Sequence, residues 1–249
     1  MNIIVSCKIV PDDQDIQVAS DRTLDYSKAK GIVSTYDLNA IEAAAQLAAA
    51  VEGSKVTAVT AGPASVDDSK LKKNILARGV DELVMCADDA YANMDAHATA
   101  EALAALVGEY DVILMGDGSA DNYAQQVDVQ LAARLGVPSV NGVTKITPEA
   151  GSLLVERTLE SVVETVRVPL PAVVSVSPDV AVPRIPGMKD ILAAGKKPMD
   201  VRAAAGAYAG SVEAVSTLAP EQADRKLEIL DASADGAIEQ FAAAIKAAL

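Results

Sequence analysis

The chain has 249 residues, 51% hydrophobic and only 3% aromatic, with one Phe and no Trp. Its 21 basic and 35 acidic residues give a formal charge of −14. That apolar content excludes wholesale disorder, which requires low hydrophobicity together with high charge. The negative balance argues against general binding to nucleic acid or to anionic lipid, whose phosphates need Lys and Arg. No segment approaches the 18 consecutive apolar residues of a spanning helix, and Met1–Val10 lacks the pattern of a secretory leader. No membrane insertion and a cytoplasmic location are therefore expected.

In chain order, Asn2–Cys7 is a short apolar run and predicts a buried strand. Leu38–Val51 repeats Ala, Ile and Leu at helical spacing, with Asp37 as its expected N-cap and Gly53 as its stop. Lys55–Thr60 reads as a strand and Val66–Leu76 as a helix before Gly79. Glu82–Cys86 is a strand, Ala96–Val107 a helix, Asp111–Met115 a strand, and Asn122–Leu135 a helix closed by Gly136 and Pro138. Four strand–helix units of roughly 30 residues predict parallel strands joined by helical crossovers. The fold class is α/β, a doubly wound and mostly parallel sheet.

Beyond Pro138 the pattern changes. Ser152–Thr158 and Val162–Val168 alternate apolar with charged residues and predict an antiparallel hairpin. Ala172–Ser177 is another buried strand, and Pro178–Pro198 a loop with at most a short helix. Ala203–Gly210 reads as a flexible link and Gly236–Leu249 as a helix. A boundary is expected near 200, between an α/β domain at 1–200 and a C-terminal arm at 201–249.

Candidate chemistry is sparse. Cys7 and Cys86 lie in separate apolar runs and read as buried, reduced thiols. His97 is the sole histidine and sits in a helix of Ala and Leu, so a triad or a zinc site is not expected. Asp12, Asp13 and Asp15 follow the first strand, where carboxylates could meet Mg²⁺ or form a solvated loop. The most informative segment is GDGSADNYAQQV, Gly116–Val127. It follows an apolar strand and leads into a helix, which is where open α/β sheets bind ligands. Amides at the helix start favour an anion such as phosphate. The segment is neither G-x-G-x-x-G nor a Walker A loop, so a nucleotide loop and a plain capped turn both remain open. Thr60-Ala61-Gly62-Pro63 is a matching turn on the same sheet edge.

Several collinear pieces carry a more specific signal. They are CKIVPDDQD (Cys7–Asp15), STYDLNAIEAA (Ser34–Ala44), TAGP (Thr60–Pro63) and the Gly116–Val127 loop followed by LAARLGVP (Leu131–Pro138). VERTLE (Val155–Glu160), LPAVVSV (Leu170–Val176) and PRIPGMKDILAAGKKP (Pro183–Pro198) complete the set. Their order resembles the β subunit of electron transfer flavoprotein, in the FixA-like branch, over residues 1 to about 200.

That resemblance implies an adenine-nucleotide-binding fold in a heterodimer, with an α subunit carrying most contacts to the electron-shuttling FAD. The β site would hold AMP in simple carriers and a second FAD in electron-bifurcating ones. Its contacts would fall on Ser6, Ser34, Thr35, Tyr36, Asp37, Ala61, Gly116, Asp117, Gly118, Ser119, Ala120, Asp121, Asn122, Tyr123, Ala124, Gln125, Gln126 and Val127. Tyr36 would lie near the partner flavin. Pro183–Pro198 would dock an acyl-CoA dehydrogenase-type protein through Arg184, Met188, Lys189 and Ile191, with Met188 as apolar anchor. This chain departs from the bifurcating pattern at Asp117, where an Arg is typical, at Asn122–Ala124 and at Asp128. A carboxylate at 117 disfavours a nearby pyrophosphate and points to AMP. A stand-alone nucleotide sensor on the same fold is the chief alternative. An ATP-cleaving relative is discounted, because Cys7–Val10 stands where its Ser-Gly-Gly loop would be.

Overall fold

The computed structural model describes residues 1–222 and 227–248. In chain order the strands and helices begin with β1 (Asn2–Ser6), β2 (Ile9–Pro11), β3 (Gln17–Val18), β4 (Leu24–Asp25) and β5 (Gly31–Val33). Then come α1 (Thr35–Ala50), β6 (Lys55–Gly62), α2 (Ser69–Leu76), β7 (Glu82–Ala87), α3 (Ala96–Leu106), β8 (Val112–Gly116) and α4 (Val127–Leu135). The second half adds β9 (Ser139–Glu149), β10 (Ser152–Thr158), β11 (Val163–Pro169), β12 (Ala172–Val176), α5 (Met188–Ala194), β13 (Met199–Arg202) and α6 (Ala237–Ala248).

Nine strands form one sheet in the order β11-β10-β9-β12-β8-β1-β6-β7-β13. All pairs from β9 to β13 are parallel, whereas β10 runs antiparallel to both β9 and β11. The protein is thus a mostly parallel α/β fold carrying an antiparallel hairpin at one edge. The central strands are apolar on both faces because helices cover both. Ile3, Val5, Val112 and Leu114 join the cluster that includes Ala40, Ile41, Ala44 and Leu47 of α1. Their neighbours Ile4, Ile113 and Met115 point the other way and pack with Ala100 and Leu103 of α3 and Leu131 of α4. The period of two in each strand puts alternate residues in the two cores. Alanines on α1 and α3 bring these helices close to the sheet without aromatic bulk.

Several expectations are corrected. Helix α1 begins at Thr35, one turn before Leu38, with Ser34 at its N-cap. Asp37 therefore sits inside the first turn, and its carboxylate is drawn to the ends of two strands instead. Helix α2 starts at Ser69, capped by Asp68, whose side chain accepts from the amides of Lys70 and Leu71. Helix α4 starts at Val127, so Asn122–Gln126 belongs to the loop. The positive φ of Tyr123 (43°) and Gln125 (54°) breaks any helical run there.

Two sheet strands escape the sequence pattern. Strand β9 contains Gly142, at φ 63°, and Pro148, both of which weaken a strand signal. Strand β13 pairs with β7 at the sheet edge and is largely exposed, so MDVR carries no apolar alternation. It also carries the sheet past residue 200, to Arg202. Ala203–Gly210 is not a loose link: the Ala204 amide donates to Asp88 Oδ2 at 3.0 Å, and Ala204 and Tyr208 pack against Cys86 and Tyr91. The C-terminal helix is seen as Ala237–Ala248; Leu249 and residues 223–226 of the expected arm lie outside the described residues. Among the described residues no helix is long and apolar enough to cross a membrane.

Candidate functional site

The chain runs β1, β6, β7 outward on one side and then returns to lay β8 on the other side of β1. That reversal opens a crevice at the carboxyl ends of the strands, the favoured ligand position in open α/β sheets. A cleft of about 800 Å³, counting its open mouth, lies there. Its wall takes residues from the ends of β1, β6 and β8, from the β8–α4 loop and from the start of α3.

Asp37 builds the back of the site. Its Oδ2 accepts the Lys8 amide at 2.7 Å and its Oδ1 accepts the Gly116 amide at 3.0 Å. One carboxylate thus ties α1 to the ends of β1 and β8. Burial pushes this carboxyl from 3.8 up to about 7, against the opposing pull of the two N–H donors. Gly116 is required by the approach: a Cβ would stand 2.8 Å from Asp37 Oδ1 and 2.9 Å from the Tyr36 main chain. Gly118 is required by Tyr123, whose ring would lie 2.2 Å from an added Cβ.

Tyr123 folds over the loop. Its ring stacks tilted on Tyr36, with centroids 4.8 Å apart. Its hydroxyl donates to Asp117 Oδ2 at 2.9 Å. Desolvation, then the Asp117 carboxylate, pushes the phenol up to about 12. The Ala120 amide donates to Ser34 Oγ at 3.2 Å, and Lys8 Nζ meets Asp121 Oδ2 at 2.6 Å. Although burial raises Asp121, hydrogen bonds from Lys8 and Ser119 outweigh it and hold the carboxyl below its usual range.

Asp117 and Asp128 stand apart. They are 9% and 3% exposed, both line the cleft, and the Oδ1 atom of each is buried without a hydrogen-bond partner. Ser175 Oγ donates to Asp128 Oδ2, and Tyr123 to Asp117, leaving one acceptor on each. Burial, with the Asp128 charge adding to it, raises the Asp117 carboxyl. Unpaired buried acceptors are costly, and two carboxyl groups in the cleft wall disfavour a ligand anion beside them.

Of the residues that the sequence singles out, the structure gathers Ser6, Asp37, Ala61, Gly116, Asp117, Gly118, Ser119, Asn122, Ala124, Gln125, Gln126 and Val127 around the cleft. Ser34, Thr35, Tyr36, Ala120, Asp121 and Tyr123 do not line it. Ser34, Tyr36, Asp121 and Tyr123 are instead engaged in holding the loop, through the bonds just described. The sequence reading did not assign Lys8, Asp95, Thr99, Leu103 or Asp128 to the site, and the fold brings them in. Lys8, within CKIVPDDQD, and Asp128, a departure from the bifurcating pattern, carried a sequence signal.

The remaining expectations resolve simply. Cys7 and Cys86 are both buried and unpaired with each other; desolvation, then the Asp37 charge, raises the Cys7 thiol and makes it inert as a nucleophile. His97 stands 3.9 Å from Glu101 on its own helix. The Asp12 carboxylate accepts the Gln14 amide at 3.1 Å and caps a short turn. Among the described residues no group of three or more His, Cys, Asp or Glu is placed to hold a metal ion.

The residues present fit a nucleoside monophosphate. Leu103, Met115 and Val127 offer apolar wall for a base, and Lys8, paired with Asp121, is the one basic residue of the lining among the described residues. A pyrophosphate would bring further negative charge toward Asp117 and Asp128.

Parallel order, strand reversal and a glycine loop at the switch point define an α/β protein with a ligand crevice at its sheet edge. Against models of protein families, residues 22–207 match the electron transfer flavoprotein domain, and the chain belongs to that family. Its function accordingly lies in electron transfer, in partnership with other electron transfer proteins. The matched span begins after β1, so Ser6, Cys7 and Lys8 join the site from outside it.

Proposed function

We propose that the chain is the β subunit of a heterodimeric electron transfer flavoprotein of the FixA-like branch, and that its cleft holds AMP. The observation that carries the AMP reading is the pair of buried aspartates in the cleft wall, Asp117 and Asp128. Their negative charge would oppose the second phosphate that FAD would bring. Ser6, Asp37, Ala61, the Gly116–Gly118 backbone, Ser119 and Asn122–Val127 would form or support this site.

The flavin of the α subunit supplies the redox chemistry, which the protein positions and tunes. No side chain of this chain needs to act as acid, base or nucleophile. Tyr36, stacked on Tyr123, would face that flavin. The segment after Arg202 would be the arm that packs on the α subunit; the exposed Val212, Val215, Ile238, Phe241 and Ile245 support this reading. Pro183–Pro198 would dock an acyl-CoA dehydrogenase-type protein. Ile185 and Met188, 93% and 74% exposed, supply the apolar contact.

The half-exposed Arg184 guanidinium bonds Glu42 on α1 at 2.6 and 3.0 Å and so also anchors the loop. Lys197 likewise donates to the carbonyls of Leu76 and Val80. Lys189 and Lys196 remain exposed for steering a partner. The deciding experiment purifies the complex, extracts its nucleotides and counts them. One FAD and one AMP per heterodimer are expected; two FAD and no AMP would overturn the AMP reading.

A further inference from the structure

The chain that leaves β13 is held down by two aspartates. Asp88 Oδ1 caps a short turn through the Ala90 amide, and its Oδ2 accepts the Ala204 amide, both at 3.0 Å. Asp95 Oδ1 caps α3 through the Ala98 amide at 2.8 Å, and its Oδ2 accepts the amides of Ser211 and Val212, the latter at 2.9 Å. The spacing from one clip to the next is the same on both segments, from 88 to 95 and from 204 to 211. Between the clips Tyr208 packs on Tyr91, with ring centroids 5.8 Å apart. Residues 204–212 are thus a strap laid along residues 88–95.

The two clips are not equivalent. Asp88 has no part in the cleft, whereas Asp95 lines it together with Ala96 and Thr99. Thr99 Oγ1 also donates to the Asp95 carbonyl at 2.7 Å, fixing the first turn of α3. Every hydrogen bond to the Asp95 carboxylate comes from main-chain N–H groups, so two surfaces share one side chain. Asp95 thus both lines the cleft and holds the strap. If the strap lifts, the cap of α3 loses the partners that fix its rotamer, and the wall of the cleft loosens.

We propose that Asp95 is a positioning residue that couples occupancy of the cleft to docking of the strap. A nucleotide against the start of α3 stabilises the docked strap, and the docked strap tightens nucleotide binding by the same factor, as linkage requires. The inference rests on the reading of the cleft as a nucleotide site.

The test measures main-chain hydrogen exchange on the full chain with and without AMP, which reports local opening residue by residue. Addition of AMP should slow exchange at Ala204, Ser211 and Val212. Ser211→Pro removes an N–H donor that lies outside the cleft, and should weaken AMP binding by about fivefold or more. Asp95→Asn, which keeps one oxygen for the α3 cap, should speed exchange at Ser211 and Val212 even with AMP bound. AMP binding that leaves strap exchange unchanged overturns the coupling and leaves the nucleotide reading intact; unchanged AMP affinity in folded Ser211→Pro does the same. Failure of the wild-type chain to bind AMP overturns both. If Ser211→Pro does not fold, the wild-type exchange comparison alone decides.

Discussion

Two loops leave the carboxyl ends of neighbouring parallel strands and have opposite characters. The Gly116–Gln126 loop, after β8, turns inward. Its glycines admit Asp37 and the Tyr123 ring, and Ser119, Ala120, Asp121 and Tyr123 are tied to Lys8, Ser34 or Asp117. The Ser177–Pro198 segment, after β12, turns outward. Arg184 and Lys197 pin its two ends, and Val182, Ile185, Met188 and Leu192 stand in solvent. The difference lies in where polar groups are spent. A loop that satisfies itself internally shapes a small-molecule site. A loop that is anchored by two of its cations and exposes its apolar residues offers a surface for a protein.

The strongest way to break the first loop is Gly116→Val. The new side chain would overlap Asp37 and the Tyr36 main chain, so a loss of about 3 kcal/mol in unfolding free energy is expected. Denaturant titration measures it, and a change within error would remove the close approach from the account. AMP retention should fall with it.

Asp37→Asn should cost less, about 1–3 kcal/mol, because one amide donor would face a main-chain N–H. This variant also tests the charge. A carboxyl raised from 3.8 to about 7 in the folded state contributes stability that is present below 3.8 and lost as pH rises through 7. The wild-type chain should therefore lose stability across that window relative to Asp37→Asn, whose profile should be flatter. Parallel profiles would show that Asp37 titrates normally.

In the second loop Met188→Glu should leave stability within about 0.5 kcal/mol, since an exposed site carries no packing. The same change should slow transfer to an acyl-CoA dehydrogenase-type partner, by placing a charge in an apolar contact. Unchanged transfer would take Met188 out of the anchor role. Together the three variants separate a loop read by its interior from one read by its surface.

The parallel core was legible in the sequence because its strands are buried on both faces, so Ile3–Val5, Val112–Met115 and Ala172–Val174 are apolar runs. Strand β13 and the long β9 were not legible, because an exposed edge and an internal Gly142 erase the pattern that burial writes elsewhere. The glycine loop was found by its place after β8. The helix after it starts at Val127 and not at Asn122, since local propensity makes Asn122–Gln126 helical while Tyr123 takes a positive φ beside Asp117 and Tyr36.

By itself the sequence determined the alternation of strand and helix, the acidic surface and the loop at which a ligand would be sought, because each is written in local periodicity or composition. Only the tertiary structure decided what each polar side chain is for. Asp37 became a tie between strands, Arg184 an anchor, and Asp95 a clip that touches both strap and cleft. Those roles come from partners far away along the chain, brought together by the order of strands in the sheet.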